Sequence, residues 1–459
     1  MRAWVRGGAV AGAMCALGLC APAASGAAGS ASFARSEIVV GYAPTSQAHG
    51  RLNARAALAG GEREVRTRVL RLPAGESVST ALARLRREHG VAWAVPDYRA
   101  HITEAGAPFI PDDPGRPGGH SAGWEELQWN FVGEFGVHAP EAWANLIADG
   151  APGGRGVIVA VLDTGVAYAN RGPFRRSPDF SRYEFVKGYD FVSRNRYPND
   201  RNGHGTFVAA TIAEQTNNGR GLTGLAYGAR IMPVRVLDGA GEGEASTIAE
   251  GVYFAVRHGA QVINLSLEFS PGVTASDIPE LIAALRYAHR RNVLVVAAAG
   301  NEGHEAIAYP AHAPNVVSVG ASTEHGCLAD YSNDGDGLTL VAPGGGADAS
   351  LPGDPNCRPE ATPGRDIFQV TFTGSSYRRF GIPDGYEGTS MATPHVAATA
   401  ALVIASGVLG HHPTPAQLTA RLTATARPLG GGGDERLYGA GLLDAAAATA
   451  PGGPGAVAE

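Results

Sequence analysis

Three short blocks carry groups that can do chemistry together. Asp163 ends the apolar run VIVAVLD, His204 sits between two glycines in NGHGTFVAATIA, and Ser390 lies in GTSMATPHVAATAALVIA. A serine hydroxyl is a weak nucleophile until an imidazole takes its proton, and the imidazole needs a carboxylate to hold its tautomer and stabilise its charged form. Ser390 opens a long apolar helix, so a backbone N–H and a favourable dipole end stand ready for a developing oxyanion. The chemistry is attack on a carbonyl carbon. The three residues are separated by 41 and 186 positions, so only tertiary structure can join them.

The elements that must position them alternate. VIVAVLD, RIMPVRVL, VINLSLE, VLVVAAAG and VVSVGAS are near-continuous apolar, β-branched runs, separated by helical stretches such as STIAEGVYFAVRHG and IPELIAALRYAHRR. That alternation predicts an α/β fold: a doubly wound parallel sheet with helices on both faces. Ligands then sit at the carboxyl ends of the strands, where Asp163 lies.

At about 150 residues per domain, 459 residues allow two or three units. With 44 % hydrophobic and 17 % charged residues, a chain disordered throughout is excluded. The 64 glycines and 30 prolines point to many turns and long loops. Basic residues are in excess before about position 103 and acidic ones after it, within a net charge of −6. An acidic body repels phosphates, which excludes nucleic acid as a partner.

Arg2 and Arg6 precede an apolar stretch from Ala9 to Ala24 and then small residues, the layout of a signal peptide over 1–28. The stretch is shorter than the ~20 residues of a spanning helix, and no stable membrane anchor is expected. Leu19 before Cys20 is a poor fit to a lipoprotein signal. The product is expected to be secreted, to periplasm or medium. Once Cys15 and Cys20 leave, Cys327 and Cys357 remain. An even pair in an oxidising compartment points to one disulfide; two buried thiols are the alternative.

Between about Glu37 and Tyr98, EIVVGYA, EVRTRVLRLP and VAWAVPDY read as strands, the last stopped by Pro96. VSTALARLRREHG reads as a helix closed by Gly90. This small α/β module covers 36–103. A Pro- and Gly-rich linker follows over 104–123, the large domain spans 124–449, and the Gly/Pro/Ala tail 450–459 reads as disordered.

The ordered blocks VLDTG, GHGTFVAATIA, VVAAAGNEG and GTSMATPHVA resemble those of subtilisin-like serine proteases, the subtilases, and the resemblance runs from Gln128 to LYGAGLLDAAAA. It implies a serine endopeptidase acting on proteins and peptides, with Asp163, His204 and Ser390 as a triad and Asn301 as side-chain donor of the oxyanion hole. It also implies that Ser266, Leu267 and Glu268 on one side, and Gly241 and Gly243 on the other, line a peptide bound as an added strand. Glu268 stands where glycine is usual, and with Glu302 it suggests tolerance for basic side chains at the primary pocket; two solvated carboxylates are the alternative. Phe207 replaces a frequent histidine, leaving His204 as the candidate base.

Structural calcium is implied at TNNGRGL, with Thr216, Asn218, Arg220 and Leu222 from the loop, Asp179 as carboxylate and Gln128 as amide ligand, a hard oxygen set. The module 36–103 resembles a subtilase propeptide, an intramolecular inhibitor and folding template cut off by the protease itself between Tyr98 and Gly123. Long-range parallel pairing is slow, which gives a template work to do. A monomer is expected. Two other readings compete. One is a catalytically silent subtilase fold used for binding, which four suitable catalytic positions disfavour. The other is an α/β-hydrolase, whose G-x-S-x-G elbow is absent around Ser390.

Overall fold

The computed structural model describes residues 33–42, 66–73, 76–98, 107–360, 362–430 and 434–456. The signal peptide expected over 1–28 lies outside them. The chain divides between Glu104 and Ala105 into two compact units.

In the first unit, strands β1 (Phe33–Tyr42), β2 (Arg66–Arg71) and β3 (Val91–Tyr98) form an antiparallel sheet in the order β2-β1-β3. Helix α1 (Val78–Leu85) starts at a Ser77 cap and buries Val78, Ala81, Leu82 and Leu85 against Ile38, Val40 and Ala94. Two local expectations are corrected. The helix ends at Leu85, with Gly90 at φ +89° in the turn beyond it. Pro96 does not stop β3 but pairs with Ile38 inside it. β3 is an edge strand, where a missing N–H leaves no ladder bond unmade.

The second unit is built on seven parallel strands: β4 (Ile158–Asp163), β5 (Tyr189–Asp190), β6 (Arg230–Arg235), β7 (Val262–Leu265), β8 (Leu294–Ala298), β9 (Val316–Ser322) and β10 (Leu340–Pro343). Their order is β10-β9-β8-β7-β4-β6-β5, which puts β4 between β7 and β6. Helices α2 (Ala139–Ala148), α3 (His204–Ala213) and α6 (Thr389–Ser406) share one buried cluster. Helices α4 (Ala245–Arg257) and α5 (Pro279–Arg290) bury their apolar stripes in another. Both faces of the sheet are therefore covered, which is why its strands carry apolar residues at nearly every position. α6 is buried on nearly all sides, so its sequence shows no amphipathic stripe.

Two boundaries also need correction. Residues 109–123, expected as free linker, belong to the second unit. Phe109 N donates to Pro140 O at 3.0 Å, the Trp124 indole donates to Pro111 O at 3.1 Å, and Gly115 N donates to Gly221 O at 2.8 Å. The tail is anchored through Pro454, whose carbonyl accepts from buried Arg421 at 2.8 Å. Prolines and glycines here mark irregular backbone that docks against the domain. Cys327 and Cys357 are joined in a disulfide. Among the described residues, no helix is long and apolar enough to cross a membrane.

Candidate active site

Asp163 is the last residue of β4, fully buried, with Thr164 N donating to its Oδ1 at 2.6 Å. His204 is the first residue of α3, and its Nδ1 lies 2.9 Å and 3.0 Å from the two oxygens of Asp163. A carboxylate at Nδ1 fixes the tautomer that leaves Nε2 free to accept a proton. Burial works against the charged imidazole, but the Asp163 charge and hydrogen bond, with Asp200 behind them, raise the His204 pKa above its ordinary value. Glycine at 205 allows the approach: a Cβ there would lie 2.2 Å from Gly165 O and 2.9 Å from Asp163 Oδ1.

Asp200 was missed from sequence, although it sits close to the block that holds His204. Wholly buried, it accepts from Thr164 Oγ1 at 2.9 Å, Gly203 N at 3.0 Å and Thr206 N at 3.0 Å. It thereby ties the segment after Asp163 to both sides of His204. Phe207, one turn along α3, stacks on Tyr386 with ring centroids 4.6 Å apart and is a packing residue.

Ser390 is the second residue of α6. Its hydroxyl donates to Ser266 O at 3.3 Å, and Ser266 Oγ donates to Ser390 O at 2.8 Å. The Ser390 hydroxyl is thus held by the strand rim and not by the imidazole; the catalytic bond often tightens only when substrate binds. Asn301 follows β8. Its Oδ1 accepts from Thr389 N at 2.8 Å and Thr389 Oγ1 at 3.0 Å, at the start of α6. That Nδ2 donates to Glu268 Oε1 at 3.0 Å.

The two expected rims lie at the same sheet edge. Ser266, Leu267 and Glu268 follow β7 on one side of Asp163. On the other side, β6 leads to the turn carrying Gly241 and Gly243, pinned by Asp238 Oδ1 accepting from Ala240 N at 2.7 Å and Glu242 N at 3.1 Å. Glu302 stands beside Glu268, its Oε2 accepting from Asn333 Nδ2 at 2.7 Å. Asn333, another residue not anticipated, also accepts from Glu302 N and His304 N and so clamps the turn bearing Asn301. Of the remaining histidines, His395 is fully buried, its Nε2 2.8 Å from Asn130 Nδ2.

At the calcium loop the residues fit a cation in part. The Asn218 Oδ1 is buried with no hydrogen-bond partner, while its Nδ2 donates to Asp179 Oδ1 at 2.8 Å. Burial pushes the Asp179 carboxyl up to about 7, a cost that a cation would relieve. Asp113, not Gln128, is the side chain that reaches this loop. Its carboxylate accepts from Asn217 N at 2.7 Å and Asn218 N at 2.8 Å, and burial raises its pKa too. Gln128 is spent elsewhere: its Oε1 accepts from Thr223 N and its Nε2 donates to Thr223 O, both at 2.8 Å. Thr216 uses its hydroxyl within the loop, donating to Glu214 O at 3.2 Å, so its backbone carbonyl is what remains for a cation, as for Arg220 and Leu222. Among the described residues no three His, Cys, Asp or Glu side chains group around a metal, so calcium here would depend on amide and backbone oxygens.

Residues 154–441 match the model of the Subtilase family, and residues 21–97 match that of the Fervidolysin N-terminal prodomain. Subtilisin Savinase of Lederbergia lenta is 39 % identical over 296 residues, 64 % of this chain and 91 % of its own. The Thermophilic serine proteinase of Bacillus sp. (strain AK1) is 39 % identical over 259 residues; the match spans 56 % of this chain and 55 % of that relative. Among solved structures, a protease of Pseudoalteromonas arctica superposes with a TM-score of 0.59 at 30 % identity, covering 74 % of this chain and 98 % of the other.

Proposed function

Because the chain belongs to the subtilase family of serine-type endopeptidases and carries a matching prodomain, we propose that it is a secreted, self-processing protease acting through Asp163, His204 and Ser390. The observation that carries the reading is the hold of both Asp163 oxygens on His204 Nδ1, at the sheet edge where Ser390 and Asn301 also sit. Asp163 orients His204, whose Nε2 takes the Ser390 proton as Oγ attacks the peptide carbonyl and later returns it to the leaving amine. Asn301 Nδ2 and the Ser390 backbone N–H receive the oxyanion. Water then attacks the acyl carbon, His204 Nε2 taking its proton and returning it to Ser390 Oγ as the ester bond breaks and the acid product leaves. Substrate lies as an extended strand between 266–268 and 241–243, held chiefly by main-chain bonds.

Calcium bound by Asn218, Asp113, Asp179 and loop carbonyls would supply positive charge that stiffens the 216–222 loop. Cleavage of the prodomain would fall between Tyr98 and Phe109, since the backbone from Phe109 onward is committed to the second unit. The test is direct. A fluorophosphonate should label Ser390 and stop casein hydrolysis, and Ser390→Ala should accumulate the chain with its prodomain attached. Labelling elsewhere, or normal trimming in that variant, overturns the reading.

A further inference from the structure

One side chain is out of keeping with an oxyanion hole. Glu268 holds both nitrogens of Asn301: Oε1 accepts from Nδ2 at 3.0 Å and Oε2 accepts from the backbone N at 3.2 Å. The amide cannot turn to escape, because Oδ1 is committed to Thr389 N and Oγ1. Gly300 lets the carboxylate come this close, since a Cβ there would stand 2.6 Å from Glu268 Oε2 and 2.1 Å from Asn333 Nδ2. A negative charge therefore sits one hydrogen-bond length from the nitrogen that should stabilise another negative charge. Two anions gathered on one amide nitrogen repel even when each takes its own N–H, so an ionised Glu268 left in place opposes the tetrahedral intermediate.

We propose that Glu268 makes catalysis depend on a cationic side chain in the residue whose carbonyl is attacked: an arginine or lysine there draws the carboxylate off Asn301 and completes the oxyanion hole. This rests on the endopeptidase reading above and narrows its substrate class. A carbonyl oxygen accepting from Asn301 Nδ2 at roughly 3 Å brings the side chain of its own residue within reach of Glu268. Glu302 adds a second carboxylate beside the first, held by Asn333, so the cation meets a pair. Burial first, and then the Glu302 charge, raise the Glu268 pKa, so an incoming cation relieves an existing cost. Arginine suits the pair best, since its planar fork can bind a carboxylate through two parallel bonds.

The experiment compares peptides differing only at that residue (Arg, Lys, Leu, Glu) with the mature wild type and with Glu268→Gly, Glu268→Gln and Glu302→Gln. Active-site titration with a fluorophosphonate normalises each kcat. The wild type should favour Arg over Leu by about tenfold or more in kcat/KM, with the difference largely in kcat. Glu268→Gly should raise kcat on the Leu peptide and lower kcat/KM on the Arg peptide, cancelling the preference; Glu268→Gln should do so in part, and Glu302→Gln less. If both Glu268 variants lower kcat equally on every peptide, the residue only braces Asn301 and the inference falls. An unchanged Arg-to-Leu ratio also ends it, while leaving the endopeptidase reading intact. A wild type that takes no label and cuts no peptide ends both.

Discussion

Asp163 Oδ1 and Oδ2 lie 2.9 Å and 3.0 Å from His204 Nδ1, so one buried carboxylate spends both oxygens on one ring nitrogen. Replacing Asp163 by Asn keeps the shape but removes the charge and offers N–H where an acceptor is needed. The expected outcome is a fall in kcat of about 10³- to 10⁴-fold with KM little changed, read on a chromogenic peptide.

The same pair governs pH dependence. His204 acts as a base only when neutral, and its pKa stands above the ordinary 6.5. Activity is therefore lost as pH falls through that raised value. The acid limb of the kcat/KM profile should have its midpoint above 6.5; a midpoint at or below the ordinary value would contradict the arrangement.

Asn301→Ala removes the side-chain donor assigned to the oxyanion, an interaction with substrate that gains strength as charge develops on the carbonyl oxygen. A drop of about 10²- to 10³-fold in kcat is expected, with KM nearly constant. A purely structural Asn301 would instead raise KM and lower the melting temperature together.

Chelation tests the loop. In the Ser390→Ala background, which prevents autolysis, removing calcium should lower the melting temperature. Bound ligand at ~1,000 times its Kd contributes about 4 kcal/mol. Asp113→Asn should shrink the chelator's effect, whereas Gln128→Glu should not enlarge it, because the Gln128 amide is occupied by Thr223.

The Cys327–Cys357 link closes a loop of 30 residues. Replacing both cysteines by serine should cost about 3–4 kcal/mol by denaturant titration in the Ser390→Ala background. A loss below ~1 kcal/mol would mean that Thr323 Oγ1 donating to Asp348 Oδ1, at 2.6 Å, already restrains that loop.

Much of the second unit was legible in its pattern. Strands buried on both faces show as unbroken apolar runs, and α4 and α5 show as amphipathic stripes, because burial is a local demand on each residue type. The blocks around Asp163, His204 and Ser390 were legible because strand ends and helix starts need short, distinctive turns, whereas Asn301 was legible only through the resemblance to subtilases. The linker was misread for the converse reason: proline and glycine look alike in free chain and in docked irregular backbone, and Asp113 was overlooked inside it. Pro96 was read as a stop because the strand's edge position, which tolerates it, is not written locally.

By itself the sequence determined which side chains are present, how they are ordered, and that a parallel sheet must bring strand ends to one edge. Only the tertiary structure decided who meets whom there. Whether Gln128 or Asp113 reaches the 216–222 loop, and whether Glu268 faces water or closes on Asn301, depends on distances between residues dozens to about a hundred positions apart. Hydrogen bonds act over about 3 Å, and no local pattern of residue types carries information at that resolution.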